Sequence, residues 1–426
     1  MKKSTSARVS FSRYQVFMIV MLALLQFTVI LDFMIISPLG DMLTKKLHIN
    51  TAQFGIVVSA YAISAGVSGL LTAGFADKFD RKKLLIFFYS GFILGTVLCA
   101  MAPNFYFLLG ARIVTGLFGG VLSSVSMAIV TDLFSMEVRG RVMGFIQMAF
   151  GASQVLGIPI GLVLANNLGW HSTFWMVAGV GLLLAIAVVL YMKPITGHLH
   201  LQHDRNALQH LVKTISNKPY LQAFLATTLL ATGGFMMMPF AAVYSVNNLG
   251  LTNEQLPELY FISGIFSFLT GPLMGYLADK AGKYTMFLVG TGISMVMVAI
   301  YTHLGITPLW QVVMINVVMF AGILGRMVTS QALISAIPQP ADRGAFMSIN
   351  SSVQSISGGI AAAVAGLIVF QPTPHSPLQH FDMLGYIVMG SMVIVAVMMY
   401  FINRHVNRKT NAVPKTQEAG YVVMAE

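Results

Sequence analysis

The chain has 426 residues, of which 56% are hydrophobic and only 9% charged, with a mean hydropathy of +0.78. Soluble domains carry about 25% charged residues, so this chain has too little charge to cover a water-facing surface, and a soluble enzyme or binding module is excluded. Lys and Arg number 25 against 14 Asp and Glu, a net charge of +11, and the single cysteine, Cys99, excludes a disulfide framework and a thiolate metal cluster.

Residues 1–14 form a polar N-tail holding Lys2, Lys3, Arg8 and Arg13. They do not read as a cleavable signal peptide, because the apolar run behind them is too long and no small-residue cleavage site closes it. The runs that follow are about 18–25 residues long, the length a helix needs to cross roughly 30 Å of hydrocarbon. Twelve spans are predicted, over about 15–40, 52–72, 84–102, 106–130, 140–165, 173–192, 221–246, 259–278, 286–303, 309–334, 344–370 and 384–401. Pro103 and Asn104 make the turn between spans 3 and 4, and Gly233, Gly234 and Pro239 break span 7. Gly157 and Pro159 are expected to bend span 5 where it packs against the other half of the chain. Segment 193–218 interrupts the pattern with Lys193, Pro194 and histidines at 198, 200, 203 and 210. That histidine spacing matches no metal-ligand template, so the segment reads as a partly helical linker at the membrane surface and no metal site is expected. The chain thus divides into an N-tail, 1–14, a six-helix bundle, 15–192, the linker, 193–218, a second six-helix bundle, 219–404, and a C-tail, 405–426. The polar stretch from Asn403 onward is expected to be disordered.

Twelve spans put both termini on one side of the membrane. That side receives 21 of the 25 Lys and Arg, the opposite side only Lys45 and Lys46, while Arg112 and Arg326 fall inside spans. The positive-inside rule then places both termini and the linker in the cytoplasm. It also accounts for the net positive charge without invoking nucleic acid.

Charge is concentrated at 73–83, A-G-F-A-D-K-F-D-R-K-K, which has an echo at 275–284, G-Y-L-A-D-K-A-G-K-Y. Asp77 aligns with Asp279 at an offset of 202, and Arg81 with Lys283. Arg139-Gly140 recurs as Arg343-Gly344 at an offset of 204, and Gln147 recurs as Asn350 at 203. A near-constant offset marks an internal duplication. The fold class expected is therefore an all-α membrane protein, two pseudo-symmetric bundles of six helices.

Two six-helix halves, a long central loop and a D-K-x-x-[RK] stretch after spans 2 and 8 resemble the major facilitator superfamily over about 17–400. The family signature there reads roughly G-x-L-A-D-R-x-G-R-K. The first copy departs from it at Ala73, Phe75, Lys78 and Asp80, while the second keeps Gly275 and Gly282. Span 4 carries Arg112, Gly116, Gly119 and Gly120, similar to the R-x-x-x-G arrangement of proton-coupled members. Span 5 carries Gly151, Gly157, Pro159 and Gly161, followed by Gly169-Trp170-His171 and Phe174. This resembles the helix 5 motif of twelve-span drug and sugar efflux antiporters, nearest the arabinose and sugar efflux permeases. Here Ile158 splits the usual Gly-Pro pair and His171 stands where Arg is commoner.

The resemblance implies alternating access around a central cavity, with Asp77, Arg81, Lys82, Asp279, Lys283, Arg139 and Arg343 forming a conformational latch that stabilises the outward-facing state. The bland reading of the same residues is a solvated loop obeying the positive-inside rule. Polar or aromatic cavity candidates are Gln26, Phe33, Gln147, Gln154, Asn316, Asn350 and Gln354, with Met237 between its neighbours Met236 and Met238. Most of the 29 methionines simply face lipid or core.

Only Asp32, Arg112 and Arg326 are ionisable groups well inside spans, where a charge needs a partner or a wet cavity. At 1.5 Å per residue, Asp32 lies roughly 7–8 Å and Arg112 roughly 9 Å outward of their span midpoints, so the two can pair. Burial opposes the ionised carboxylate and a nearby guanidinium favours it. Motion that separates them would load and release a proton; the alternative is a fixed ion pair between spans 1 and 4. Arg326 has no acidic residue in any span of its half and reads as a substrate-anion anchor or a gating residue.

The expected function is proton-coupled export of a small amphipathic or sugar-like solute, with import of an amino acid or organic anion as the alternative. An intramembrane enzyme is disfavoured because the lone Asp32 is joined by no embedded His or Cys pair. No G-x-x-x-x-G-K-[ST] loop is present, so a proton gradient and no cofactor is the expected energy source. The expected partners are a small-molecule substrate, protons and the lipid bilayer, for a monomer in a bacterial inner membrane.

Overall fold

The computed structural model describes residues 11–72, 78–197, 199, 214–339 and 342–411. Lipid offers no hydrogen bonds to the backbone, so a chain of this hydropathy must satisfy its amides within each segment. The described residues accordingly form twelve long apolar helices: Arg13–Ile35, Thr51–Thr72, Arg81–Ala100, Phe105–Leu133, Val138–Leu168, His171–Tyr191, Lys218–Asn247, Leu256–Ala281, Lys283–Tyr301, Leu309–Ile334, Arg343–Ile368 and Phe381–Arg408. They are spans 1 to 12 below. The face bearing the start of span 1 and the end of span 12 is the termini face; the other is the far face.

Local chemistry sets the ends. The Ser12 hydroxyl accepts from the Gln15 amide at 3.2 Å and Gln15 Oε1 accepts from the Ser12 amide at 2.9 Å, a reciprocal cap on span 1. Asn104 caps span 4 by accepting from the Phe107 amide at 3.0 Å, at the turn predicted from Pro103. Gly282 sits at φ +92° between spans 8 and 9, a backbone that favours glycine. Its duplicate, Asp80, solves the same turn by capping: its carboxylate accepts from the amides of Lys82 and Ile195, each at 2.9 Å.

Prolines end or interrupt three spans. Span 1 ends at Ile35, not near Gly40, and a separate short helix, Gly40–Leu47, follows Pro38 on the far face. Proline lacks the amide that would continue the ladder. Span 5 contains a π-helical turn, Ser153–Gly157, immediately before Pro159, so the missing proline amide is absorbed by a widened turn. Span 7 passes through a short 3₁₀ turn, Met238–Phe240, at Pro239. The last helix continues to Asn411, past Asn403 where disorder was expected, and Arg404 and Arg408 near its end favour the helix dipole.

In the first half, span 2 packs on span 4, span 3 on spans 4 and 6, and span 1 on spans 5 and 6; in the second, span 9 packs on span 10, span 8 on span 10, and span 7 on spans 11 and 12. Close approach is bought with small residues: a Cβ on Gly116 would lie 2.9 Å from Tyr61 Cα of span 2. The halves meet along two seams, span 2 with span 11 and span 5 with span 8. Gly157 faces Leu31 of span 1, and Gly161 faces Thr173 and Ile35. The two glycine faces therefore look into the first half, while the π-turn that carries Gly157 and the helix after it pack against span 8 of the second half, as expected of the bend. Gly151, against Phe268, and Gln154, whose backbone lies against Gly264, make contact with span 8. Large apolar side chains such as Leu183 and Leu190 point outward to lipid.

Candidate functional site

Spans 1 and 4 bring Asp32 and Arg112 together. Arg112 Nη1 donates to Asp32 Oδ2 at 2.8 Å and to the Asp32 carbonyl at 3.3 Å, and both side chains are 0% exposed. The second carboxylate oxygen accepts from the Thr96 hydroxyl of span 3 at 3.2 Å. The guanidinium lies 4.5 Å from the ring centre of Tyr61 on span 2. Arg112 Nε and Nη2 are buried without a hydrogen-bond partner. Four spans of one half thus enclose a single ion pair that is sealed from both faces. A fully dehydrated carboxylate is stable only while its cation stays close. Protonating it would dissolve the pair, and proton exchange requires the surrounding spans to move.

Tyr61 connects this pair to the boundary between halves. Its ring lies 5.2 Å from Phe33, which lies 5.8 Å from Phe235 of span 7. Gln26 accepts from Ser123 of span 4 at 3.2 Å, and Asn350 accepts from Thr227 of span 7 at 2.6 Å. Both are bonds within one half. Asn316 is buried and returns its amide to the Val312 carbonyl of its own helix at 3.0 Å; it stands 204 residues after Arg112, the duplicated position without the charge. Gln147 is exposed, and Gln154, Gln354, Phe33 and Met237 are half-buried. Arg326 is 8% exposed, with its guanidinium 5.8 Å from the Phe287 ring centre of span 9. Its Nε has no hydrogen-bond partner, and no ion pair forms on Arg326 among the described residues.

Of the latch residues, Asp77 lies outside the described residues, as do the histidines of the linker. Arg81 Nε pairs with Asp132 at the end of span 4 at 2.9 Å, and Lys82 donates to the Val189 carbonyl of span 6 at 2.9 Å. Arg139 donates to the carbonyls of Thr131 and Phe134 at 2.6 and 2.9 Å, while Asp279, Lys283 and Arg343 are exposed. These cations tie spans 3, 4, 5 and 6 within the first half.

Sequence reasoning missed two features. Thr96 and Tyr61 complete the ion-pair site but carry no charge to mark them. Gly55, Gly66, Gly359 and Gly366 form the span 2 and span 11 seam: a Cβ on Gly55 would lie 2.7 Å from the Ala362 carbonyl, and one on Gly359 3.0 Å from the Ser59 carbonyl. Small residues facing each other at near-constant spacing on two spans were the available signal. Two outer grooves, of about 440 Å³ against spans 9 and 12 and about 540 Å³ against spans 3 and 4, are almost wholly apolar and contain none of the candidate polar residues.

Comparison with known proteins bears on this arrangement. The family model described as Major Facilitator Superfamily matches residues 22–362 and again 223–422. An uncharacterized MFS-type transporter, YbcL of Bacillus subtilis (strain 168), is 25% identical over 354 residues, 82% of this chain and 88% of its own length. A probable sugar efflux transporter of Helicobacter pylori (strain G27) is 24% identical over 264 residues, 61% of this chain and 66% of its own. The crystal structure of a D-xylose-proton symporter superposes with a TM-score of 0.72 at 16% identity, covering 89% of this chain and 97% of that one. A bacterial homologue of the human lysosomal transporter Spinster, inward-facing and occupied, gives 0.67 at 15% identity over 94% and 98%. At these identities the two structures speak for the fold alone.

Proposed function

The chain belongs to the major facilitator superfamily of transporters and is not an enzyme, and on that footing we propose that it is a proton-coupled exporter of a small amphipathic or sugar-like solute. The observation that carries the coupling is the enclosed Asp32–Arg112 pair at 2.8 Å, the one ion pair well inside the described spans, Arg81–Asp132 lying at span ends. The proton enters as the pair separates, Asp32 turns neutral, and the spans around it are free to rearrange. The outward direction and solute class rest on the relatives named as probable sugar efflux transporters and on the Gly151, Gly157, Pro159 and Gly161 pattern of span 5. We place both termini in the cytoplasm from the Lys and Arg asymmetry, in a bacterial inner membrane, with the chain acting as a monomer.

A second reading, uptake of a small organic anion, is favoured by one observation: Arg326 is buried with no counter-ion among the described residues. Flux into proteoliposomes under an imposed pH gradient, screened over sugars, amino acids, organic anions and dyes, tests both. Solute movement opposite to the proton supports export; movement with the proton, confined to anions, supports the second reading. Flux indifferent to the gradient overturns proton coupling.

A further inference from the structure

The hydrogen bonds that join the two halves between described residues all lie at the far face. Ser37, just after span 1, donates to the Met238 carbonyl of span 7; Thr51 of span 2 donates to the Val369 carbonyl after span 11 at 2.8 Å. Two of the remaining three converge on one carboxylate. Asp41, in the short helix Gly40–Leu47, is 0% exposed. Its Oδ1 accepts from Asn247 Nδ2 at the end of span 7 at 2.8 Å, and its Oδ2 from Asn253 Nδ2 in the loop to span 8 at 3.0 Å. Lys45, one turn along the same helix, completes the shell at 2.8 Å. Asn166 of span 5 then donates to the Asn253 carbonyl at 2.9 Å. A carboxylate from the first half thus holds two amides of the second, and one of those residues is bonded back to the first.

We propose that Asp41 is a positioning residue for alternating access: through Asn247 and Asn253 it holds the two halves together at the far face, and its release opens that face. The chemistry suits a reversible closure. A carboxylate accepting from two amides is strongly held when dry. On opening, the same groups exchange those bonds for water with little net cost, and Lys45 travels with Asp41 on its own helix, so the carboxylate is never stranded without a cation. An apolar seal would instead expose dry surface each time it parted. The proposal is independent of the solute, of proton coupling at Asp32 and of the direction of transport.

The test uses purified full-length protein in detergent, with Cys99→Ser removing the native thiol. Two reporters are placed singly: Ser59→Cys, buried in the span 2 and span 11 seam below the far face, and Gln147→Cys, exposed in span 5. Each is combined with Asp41→Ala and, separately, with the pair Asn247→Ala and Asn253→Ala, which keeps the Asp41–Lys45 bond. Maleimide labelling is followed in time. The expected result is that Ser59→Cys reacts about tenfold faster in both variants while Gln147→Cys reacts more slowly, because opening one face closes the other. The asparagine pair gives the same reading if Asp41→Ala yields no folded protein. An unchanged Ser59→Cys rate, or a rise at both reporters as in a merely loosened protein, would overturn the proposal.

Discussion

Arg112 reaches the Asp32 side chain through one nitrogen, leaving Nε and Nη2 buried and unbonded, so the pair is held less firmly than a two-pronged contact would hold it. The first prediction concerns Asp32→Asn, nearly the same shape and unable to release a proton near neutral pH. It should lose transport against a gradient and keep substrate binding and exchange down a gradient, while Asp32→Glu retains partial coupling with a shifted pH optimum. Proton uptake or release on substrate addition is the measurement, and full substrate-linked proton movement in folded Asp32→Asn would rule Asp32 out as carrier. A second prediction separates carrier from packing. Removing one partner of a buried pair costs about 3–5 kcal/mol because the other charge is stranded. Arg112→Gln should therefore lower the unfolding temperature clearly, and adding Asp32→Asn should recover much of that loss while coupling stays absent. At Arg326, whose Nε has no partner, Arg326→Lys should keep part of any anion binding, since a point charge replaces a guanidinium fork only in part. Arg326→Gln should abolish it; unchanged anion affinity in Arg326→Gln would assign Arg326 to packing or gating.

Glycines on the spans separate two kinds of contact that look alike in sequence. Gly116 lies between spans 4 and 2 of one half, where a Cβ would meet Tyr61 Cα at 2.9 Å. Gly55 lies between spans 2 and 11 of different halves, where it would meet the Ala362 carbonyl at 2.7 Å. Overpacking inside a fixed bundle costs about 1–3 kcal/mol, so Gly116→Val should lower the unfolding temperature. At the seam the same insertion can be relieved by parting the halves. Gly55→Val should leave the unfolding temperature near wild type and cut transport about tenfold or more. Equal destabilisation by both would mean the seam is as permanent as the bundle interior.

For the molecule as a whole, the charge asymmetry predicts an orientation in the bilayer. With 21 of 25 Lys and Arg on the termini side, a reporter fused after Glu426 should behave as cytoplasmic. In a Cys99→Ser background, Lys46→Cys on the far-face helix should react with impermeant maleimide added to intact cells. An external C-terminus, or a protected Lys46→Cys, would reverse the assignment of the faces.

Twelve spans and the six-plus-six duplication were legible because each is a property of the chain read in one dimension: run length and repeat offset. The Asp32–Arg112 pair was legible for a related reason, since depth along a span follows from residue count and two opposite charges at one depth in lipid have few other partners. Thr96 and Tyr61 around that pair were not, nor was the face of span 5 on which Gly157 lies. These depend on how each span is rotated about its own axis, and lipid is as apolar as the bundle interior, so hydropathy does not tell the two faces apart. The closure at Asp41 lay further still from the sequence. Asp41 precedes Asn247 by 206 residues and Asn253 by 212, and it reads locally as one acid beside Lys45 on a short helix. Only the packing of one half against the other brings those amides to its carboxylate and excludes the water that would otherwise make the contact weak.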